Sequence, residues 1–363
     1  MQKKPSLCFV GSMVGRNAGY ITTQGEIMAD LFAAEDYEVA CVSSKLNRAA
    51  RMAEIVAVLI SGRRRFDLVV LDVFSGLSFI IADVVGLLCK LLKIPLIMVL
   101  HGGSLPEFVQ KHPRWTKRVF KCAASLVAPS AFLAEKIGVH GFKIKVVPNI
   151  IKLDSYPFRL RSSLSPRLIW MRSFHRIYNP QMALNVLAEL RKDYPAATLT
   201  MAGADKGLEP ELKKMAQEMN LGEAVSFPGF LNREQKAREF SAADIYLNTN
   251  RIDNMPVSVL EACACGLPVV ATNVGGLPFL ISDGENGLLV ENENVNAMVQ
   301  AVKMLLTDSA AAQKISRNAG LLAEKSSWTT LRGDWEELFA VVLKQATKKL
   351  PPRFSAKNLS SEK

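Results

Sequence analysis

At 363 residues the chain is long enough for two domains, each with a hydrophobic core of its own. Its formal net charge of +11 and its pI near 9.4 favour anionic partners, namely nucleotide phosphates, anionic lipid surfaces or nucleic acid. Aromatic residues make up only 7% of the chain and no zinc-finger or other nucleic-acid motif is present, so nucleic acid is the least favoured of the three.

The cysteines are scattered along the chain and mostly lie in apolar segments: Cys8, Cys41, Cys89, Cys122, Cys263 and Cys265. The last two are two residues apart on a predicted helix and therefore point to different sides. This distribution indicates small buried residues in a reducing compartment, and it argues against a disulfide framework or a metal site. We therefore predict a cytoplasmic protein.

The first half of the chain alternates predicted strands with predicted amphipathic helices. The N-terminal sequence MQKKPSLCFVGSM has too short an apolar part for a signal peptide and runs into a glycine-rich loop, so a buried strand is predicted there. Strands are predicted near Leu7–Val10, Glu38–Val42, Leu68–Leu71, Leu96–Leu100, Leu126–Ala128 and Ile144–Val147. This order is typical of a doubly wound parallel sheet.

The most apolar region of the chain, Ile80–Leu100, is not predicted to span a membrane. Three charged residues interrupt it, and Pro95 divides it. A helix over Leu77–Leu92 followed by a strand over Pro95–Leu100 explains the pattern better than one long apolar helix does.

The alternation stops after Val147, and the polar stretch Lys152–Pro166 has no periodicity. We therefore predict an N-terminal Rossmann-like domain over residues 1–150 and a linker over residues 151–166. The alternation then resumes in a second Rossmann-like domain over residues 167–325. Its strands are predicted near Leu168–Met171, Thr198–Ala202, Val225–Phe227, Ile245–Leu247, Val269–Ala271 and Leu288–Val290.

Helical periodicity dominates the end of the chain. Helices are predicted near Val295–Leu306, Ala310–Glu324 and Trp328–Lys344. We assign residues 326–350 to a C-terminal helical segment. The basic sequence after it, residues 351–363, is poor in apolar residues, and we predict that it is a disordered tail.

Ligands of such sheets bind at the carboxyl ends of the strands, where two loops of the first half are candidates. The loop Gly11–Gly19 follows the first strand, and its glycines permit close approach of the backbone to a ligand. Gly15 and Gly19 are its candidate binding positions, and a plain tight turn is the alternative. His101 directly follows a buried strand, and an imidazole there can donate to a phosphate or sugar oxygen. A structural histidine is the alternative for His101.

A third candidate loop follows the first strand of the second half. Arg172 is its main candidate, because an always-charged, planar guanidinium suits a diphosphate. Arg176 could supply a second charge, with a solvated surface residue as the alternative. Tyr178 could supply a hydrogen bond instead.

The stretch Asp253–Val290 carries the densest pattern of the chain. Pro256 suits the first position of a helix, which continues to Ala264 and is ended by Gly266. The helix start at Pro256 and Val257 combines bare N–H groups with the positive end of the helix dipole. This start is therefore a predicted phosphate site.

Two acids lie on either side of this helix start. Asp253 precedes the helix, and Glu261 lies eight residues later. Their acceptor-only oxygens suit pairs of sugar hydroxyls, as in ribose recognition by dinucleotide-binding folds. The alternative is that Asp253 is only a loop acid and Glu261 a solvated helix residue.

In this stretch the sequence resembles the retaining glycosyltransferases of family 4 (glycosyl transferases group 1). These enzymes carry an acid, seven further residues and a Glu, with a proline-type helix start between them, followed by a Gly-Leu-Pro-Val-Val strand and a Gly-Gly turn. The matching residues are Asp253, Pro256, Glu261, Ala262, the segment Gly266–Val270, Gly275 and Gly276. Two positions depart from the family: Asp253 stands where Glu is commoner, and Phe279 stands where an acid is common.

The resemblance implies a GT-B fold, in which two Rossmann-like domains face each other across a cleft. It implies an enzyme that transfers a sugar from a nucleoside-diphosphate-sugar donor to an acceptor hydroxyl, with retention of the anomeric configuration. It points to members of the bacterial surface-polysaccharide type, so a sugar or lipid-linked acceptor in polysaccharide or glycolipid synthesis is expected. The last helix is expected to cross back onto the first domain.

The resemblance also implies roles for the candidate residues. The donor-binding set is Gly15, Gly19, Arg172, Arg176, Pro256, Val257 and Glu261, and the catalytic pair that would contact the transferred sugar is His101 and Asp253. Arg172 would grip the diphosphate beside a Lys five residues later; that Lys is absent here, and Arg176 or Tyr178 would take its place. Glu261 would hold the ribose, and the backbone near Gly229–Phe230 would hold the base.

No Asp-x-Asp metal motif occurs in the chain, so neither a metal ion nor another cofactor is expected. Two other functional classes remain open. One is a different GT-B enzyme, either an inverting transferase or an epimerase, which would release a free epimer without an acceptor. The other is a non-catalytic protein that binds sugar nucleotides.

Basic residues of the first half indicate a second surface. One cluster is Arg63–Arg65; the other comprises Lys111, Arg114, Lys117, Arg118 and Lys121, interleaved with Trp115, Val119 and Phe120. A basic amphipathic helix of this kind predicts peripheral contact with the anionic inner face of the cell membrane. The alternative is a solvated helix face.

Overall fold

Two six-stranded parallel sheets, one in each half of the chain, form the framework of the protein. The computed structural model describes residues 4–15, 17 and 19–349, so the tail predicted at residues 351–363 lies outside the described residues. Helices cover both faces of each sheet, which is the doubly wound arrangement that the alternating pattern predicts. The predicted α/β fold class is confirmed.

The strands of the first sheet are β1 Leu7–Val10, β2 Val39–Val42, β3 Leu68–Val73, β4 Leu96–Leu100, β5 Ser125–Ala128 and β6 Ile144–Val146. They lie in the order β2-β1-β3-β4-β5-β6, and every neighbouring pair is parallel. Strand β4 is buried along its whole length. Because helices cover both faces of a parallel sheet, such strands are continuous apolar runs, and their positions follow from the sequence.

The helices of the first domain are α1 Gln24–Ala34, α2 Arg48–Ser61, α3 Phe79–Leu92, α4 Leu105–Lys111, α5 Pro113–Phe120 and α6 Ala131–Gly138. Helices α2 to α6 pack on one face of the sheet, and α1 packs on the other. The helix predicted from Leu77 begins at Phe79, because Gly76 has a φ of 69° and opens a 3₁₀ turn before it.

Helix α5 directs its apolar side into the core of the first domain. Val119 and Phe120 are buried there, and Trp115 packs against the same core while its Nε1–H donates to Asp83 at 2.7 Å. The apolar residues that interleave with the basic cluster are therefore core residues. The apolar side of α5 is therefore closed to a bilayer, and the predicted membrane contact of this basic helix stays a prediction that depends on its charged side alone.

The strands of the second sheet are β7 Arg167–Met171, β8 Thr198–Ala202, β9 Val225–Gly229, β10 Ile245–Asn248, β11 Val269–Thr272 and β12 Leu288–Val290, in the order β12-β11-β10-β7-β8-β9. Its helices are α7 Pro180–Leu190, α8 Glu209–Glu218, α9 Arg233–Ala242, α10 Val257–Ala264, α11 Leu277–Leu280, α12 Val295–Thr307 and α13 Ser309–Glu324. Helices α7, α8 and α12 cover one face, and α9, α10 and α11 cover the other.

Two of the cysteines lie in the core of the second domain. Cys263 and Cys265 are buried between α10 and the sheet, and burial raises the pKa of both thiols to about 12.

The last helix, α14 Trp328–Lys349, packs on the first domain. Its Phe339 ring lies 5.0 Å from the ring of Phe32 on α1, centroid to centroid. The chain therefore crosses between the domains twice. The two crossings lie side by side, because the N–H of Ile151 donates to the carbonyl of Ser326 at 2.9 Å.

The stretch at residues 151–166, predicted as an irregular linker, is packed against the second domain. Arg161 is only 1% exposed, and its guanidinium donates to the carbonyls of Phe240 and Ala243, both at 3.1 Å. Burial of the charge lowers the pKa of Arg161 to about 10. These carbonyls end α9 and have no partner within the helix, so the buried guanidinium satisfies them.

Candidate active site

A cavity of about 810 Å³ lies between the two domains, at the carboxyl ends of their strands. Its walls are loops that follow β1, β3 and β4 in the first domain and β7 to β10 in the second. The sequence-predicted residues that line it are Gly15, Gly19, His101, Arg172, Asp253, Pro256, Val257 and Glu261. Phe230, beside the predicted position of the base, also lines it. Ligands of doubly wound sheets bind at such strand ends, and the volume suits a small-molecule site.

Arg172 follows β7 and projects into the cavity between two partners. Its Nη2 lies 2.5 Å from Oδ2 of Asp253, and its guanidinium carbon lies 4.1 Å from the centre of the Tyr178 ring. Burial disfavours the charge, but the Asp253 carboxylate outweighs it and the pKa of Arg172 is raised. The guanidinium is therefore charged and held in one orientation, as a diphosphate site requires.

Asp253 is held by backbone as well as by Arg172. The N–H of Asn254 donates to its Oδ1 at 2.8 Å. The Gly-Gly turn packs directly behind this loop: a Cβ on Gly275 would lie 2.1 Å from the Asp253 carbonyl oxygen, and one on Gly276 would lie 1.8 Å from the Asn254 oxygen. Because Gly275 and Gly276 have no side chains, the loop that carries Asp253 can pack against the turn before α11. Close packing therefore explains the two glycines of the motif.

Helix α10 starts in the cavity wall. Pro256 is its N-cap residue with extended backbone angles, and the first helical residue is Val257, one position later than the sequence predicts. The first N–H groups of a helix have no partner within it, and they carry the positive end of the dipole. Arg172 Nη1 lies 3.5 Å from Oγ of Ser258 in this first turn, so the guanidinium and the helix start form one positive site.

Glu261 is a buried residue of the cavity wall, only 7% exposed, so the alternative of a solvated helix residue is wrong. The Tyr156 hydroxyl donates to its Oε1 at 2.6 Å, and Lys236 Nζ lies 3.1 Å from both carboxylate oxygens. Burial, followed by the Glu261 charge, raises the pKa of Tyr156 above its usual value. The two donors hold the carboxylate in one orientation, with acceptor capacity left for a ligand hydroxyl.

Glu261→Gln is expected to weaken nucleoside-diphosphate binding about tenfold, because a charged hydrogen-bond acceptor becomes a neutral amide. Calorimetric titration of the variant and wild type measures the change in Kd. Glu218→Gln, on the exposed side of α8, is the matched control and should bind as wild type does. An unchanged Kd together with a lower melting temperature would mean that Glu261 only holds Tyr156 and Lys236.

Lys236 on α9 is the second cation of the donor side, and the sequence did not single it out. It lines the cavity and pairs with Glu261.

Arg176, the predicted substitute for the missing Lys, is exposed and does not line the cavity; its carbonyl accepts from Arg251 at 2.6 Å. Of the two predicted substitutes, only Tyr178 reaches the cavity, where it lies against Arg172. Lys236 sits in a helix rich in charged residues, so no local pattern distinguishes it.

His101 forms a pair with Asp72 on the first-domain side. Its Nε2 lies 3.0 Å from Oδ1 of Asp72, both side chains are at most 10% exposed, and the Phe74 ring stacks on the imidazole at 5.1 Å. A carboxylate at this position accepts an Nε2–H, so in the neutral imidazole it favours the tautomer whose Nδ1 is an acceptor. Asp72 was missed from sequence, although an acid within the apolar strand β3 was a usable signal, since buried acids need a partner.

The two domains touch beside the cavity. Gly103 lies against the second domain so closely that a Cβ there would be 3.2 Å from the carbonyl carbon of Asp253. The Asn149 side-chain amide also crosses, donating to the Met255 carbonyl at 3.0 Å. The loop of His101 and the loop of Asp253 are therefore neighbours, so that one bound sugar can contact both.

The glycine-rich loop is fixed by the first domain itself. The N–H of Gly15 donates to both carboxylate oxygens of Glu26, at 2.9 and 3.1 Å, and Glu26 is only 2% exposed. A Cβ on Gly15 would lie 2.3 Å from the Cα of Thr22. The N–H of Gly15 is therefore bonded to Glu26, while Gly15 itself lines the cavity, and its part in donor binding stays a prediction. Gly19 has a φ of 80° and faces open space in the cavity.

Across residues 4–15, 17 and 19–349, no group of three or more His, Cys, Asp or Glu side chains is placed to hold a metal ion. The positive groups of the cavity are instead side chains and the start of α10. Arg172, Arg233 and Lys236 line it from the second domain, and Lys152 lines it at the crossing between the domains. Protein cations thus lie where an anionic ligand would bind.

The second domain is similar in sequence to a known protein family. Residues 161–321 match the model of the family described as Glycosyl transferases group 1. The D-inositol 3-phosphate glycosyltransferase of Paenarthrobacter aurescens (strain TC1) is 30% identical over 247 residues, which are 64% of this chain and 60% of that protein. The glycogen synthase of Mycobacterium tuberculosis (strain H37Rv) is 25% identical over 279 residues, which are 72% of this chain and 66% of that protein. The matches thus span less than two thirds of these relatives' own length.

Solved structures match nearly the whole chain. HepE from Anabaena, crystallised with UDP, superposes with a TM-score of 0.72 at 17% identity, covering 93% of this chain and all of that one. A sucrose-phosphate synthase from Thermosynechococcus elongatus superposes with a TM-score of 0.76 at 16% identity, covering 94% and 100%. The chain has the two-domain GT-B fold, and the matched segment supports the glycosyl transferases group 1 family.

Proposed function

We propose that this chain, with its GT-B fold and its glycosyl transferases group 1 segment, is an enzyme that transfers a sugar from a nucleoside-diphosphate-sugar donor to an acceptor hydroxyl. The observation that carries the proposal is the pairing of Arg172 with Asp253 at the start of α10, across the cavity from His101. On this proposal, an anion site and hydroxyl-binding groups share one cavity, which supports binding of a nucleoside-diphosphate sugar.

The donor side supports departure of a diphosphate. As the bond from the anomeric carbon to the diphosphate breaks, negative charge grows on the leaving oxygens. Arg172 and the first N–H groups of α10 are fixed in advance around this position, which is the arrangement that stabilises developing charge. Glu261 would hold the ribose hydroxyls. We propose that no metal ion or other cofactor takes part.

The pair formed by Arg172 and Asp253 links the two halves of the donor. Their charges pair with each other at 2.5 Å. A bound diphosphate would compete for the guanidinium and free acceptor capacity on Asp253 for hydroxyls of the transferred sugar. His101, oriented by Asp72, would contact the same sugar from the other side. We include retention of the anomeric configuration in the proposal, on the resemblance to family 4.

The acceptor is proposed to be a sugar or a lipid-linked sugar in the synthesis of cell-surface polysaccharide or glycolipid. The basic balance of the chain supports an anionic environment. We propose a cytoplasmic protein that works at the inner face of the cell membrane. Proton NMR of the product would report the anomer, and a free epimer formed without acceptor would indicate an epimerase instead.

A thermal-shift screen tests the donor site directly. UDP, GDP, ADP and their sugars are added to purified protein in the presence of a metal chelator. One nucleoside diphosphate is expected to raise the melting temperature, because a ligand at about 100 times its Kd stabilises the folded state by roughly 2.7 kcal/mol. The Arg172→Ala variant should lose most of this shift. No shift of the wild type with any of the ligands would contradict the proposal.

A further inference from the structure

The turn before α3 and the outer side of α3 carry an apolar stripe. Its members are Leu77, Ile80, Val84, Leu87 and Leu91. They are three or four residues apart, so they share one side of the helix. Leu77 is 71% exposed and Leu91 is 69% exposed. Single exposed leucines are ordinary, but a contiguous exposed apolar stripe marks a contact surface.

Basic residues surround the apolar stripe. Helix α3 packs beside α5, since a Cβ on Gly86 would lie 3.2 Å from the Cβ of Cys122 just beyond α5. Arg65 and Arg118 pair with Glu38 and Asp83. Six further exposed cations on α3 and on the neighbouring segments are Arg63, Arg64, Lys90, Lys93, Lys117 and Lys121. None of these six forms an ion pair with an acidic side chain of the described chain. Their charge is therefore available to an external partner.

The apolar stripe begins at the mouth of the cavity. Phe74 lines the cavity, stacks on His101 and is 36% exposed, and Leu77 follows three residues later. Helix α3 then runs back along the side of the first domain, opposite in direction to the strands, as a crossover helix between β3 and β4 must. A partner that covered the stripe would thus reach the entrance of the cavity.

We propose that the apolar stripe and the basic residues around it dock the first domain on an anionic lipid bilayer, with the cavity mouth at the membrane surface. Leucine side chains would enter the boundary between head groups and acyl chains, while lysine and arginine would contact anionic head groups. Four of the six cations are lysines, and lysine is depleted at protein interfaces, so this surface fits a bilayer better than a protein partner. No helix in the described part of the chain is long and apolar enough to span a membrane.

Membrane docking would deliver a lipid-linked acceptor to the cavity, and only this purpose of the docking rests on the proposed function. Docking itself is a property of the surface and needs no turnover. An acceptor whose sugar is held at the head-group level would enter beside Phe74 without leaving the bilayer.

Vesicle co-sedimentation tests the surface. Vesicles of phosphatidylcholine alone are compared with vesicles of phosphatidylcholine and phosphatidylglycerol. The wild type is expected to bind the mixed vesicles, and less so as salt is raised. The double variants Leu87→Gln with Leu91→Gln, and Lys90→Glu with Lys121→Glu, should each lower partitioning on the order of tenfold. All four residues are exposed, so the fold should be kept.

The matched control replaces one leucine and one cation on an opposite part of the molecule. Leu321→Gln with Arg317→Glu changes exposed residues of α13 and should bind vesicles as the wild type does. An equal loss in this control, or no vesicle binding by the wild type, would overturn the proposal. So would sedimentation equilibrium in which the wild type self-associates and the Leu87→Gln with Leu91→Gln variant does not, because the stripe would then join two copies of the chain.

The nucleoside-diphosphate thermal shift is measured on the same preparations. The two double variants of the docking surface should keep the shift of the wild type, since none of the changed residues lines the cavity. A shift without vesicle binding would reject the surface and leave the donor site standing. Vesicle binding without a shift would reject the transferase proposal and leave the surface standing.

Discussion

Arg172→Ala is expected to lower kcat/KM for sugar transfer by about 10²- to 10³-fold, the usual loss when a fixed donor to developing charge is removed. The guanidinium contacts Asp253, Tyr178 and the first turn of α10 together. Its loss removes the positive charge beside the departing diphosphate and leaves the Asp253 carboxylate without its ion-pair partner. Initial rates at several donor concentrations measure the effect.

Two controls show what the loss means. Arg172→Lys keeps a charge but not the planar fork, so it should recover only part of the rate. Arg176→Ala removes an exposed arginine four residues away that does not line the cavity, and it should transfer sugar at the wild-type rate. A large loss in Arg176→Ala with none in Arg172→Ala would reverse the assignment of the donor-gripping residue.

Asp72→Asn is expected to lower kcat about 10- to 100-fold while changing the Kd for the nucleoside diphosphate little. Mutation of a carboxylate that hydrogen-bonds to a functional histidine lowers activity by a factor of this order, because the carboxylate fixes the tautomer and the ring orientation of the histidine. Asp72 lies at 3.0 Å from Nε2 of His101, on the domain opposite to Arg172. The side-chain amide of Asn can donate or accept, so it no longer selects one tautomer.

Nitrogen NMR of histidine-labelled protein separates a positioning role from a loss of folding. The chain has four histidines, so the signals of His101 can be assigned by one His101→Gln variant. The wild type should show a protonated Nε2 and an unprotonated Nδ1, and Asp72→Asn should show a mixture. Asp36→Asn, an exposed acid far from the cavity, should leave both the spectrum and kcat unchanged. A single unchanged tautomer in Asp72→Asn would contradict the role given to Asp72.

The fold follows closely from the sequence because its strands are buried on both faces. Leu7–Val10 and Leu96–Leu100 match their predicted bounds, since a strand covered on both sides must be an unbroken apolar run. Errors fall at element ends. The helix α10 begins one residue after Pro256, and α3 begins two residues after Leu77. Helix ends depend on caps and local turns, which apolar periodicity does not report.

Much of the donor side of the site also follows from sequence. Arg172, Asp253 and Glu261 are found together in the cavity, because each lies at a strand end or in the helix that follows it. The rule fails for residues that stand outside such positions. Lys236 is in the middle of α9, and nothing in its neighbourhood differs from an ordinary charged helix face. Arg176 has the right charge at nearly the right spacing, yet its loop carries it out to solvent.

Tertiary packing decides which polar groups remain available to a ligand. The sequence indicates no partner for the N–H of Gly15, but in the folded chain this N–H donates to the Glu26 carboxylate. Arg161 is predicted to lie in a polar linker, but it is buried against the C-terminal end of α9. The pairing partners are 11 residues apart in the first case and 79 or more in the second. No local pattern predicts such pairs, since each partner satisfies ordinary rules where it stands.

The sequence by itself determined the two doubly wound domains, the cavity between them and the motif around α10, because these depend on apolar periodicity and on turn residues that act within one element. Only the tertiary structure decided that Asp72 orients His101, that Lys236 supplies the second cation, and that the exposed apolar surface lies on α3 and not on α5. Each of these depends on which side of an element meets its neighbour. That choice is made by long-range packing, to which residues far apart in the chain contribute equally.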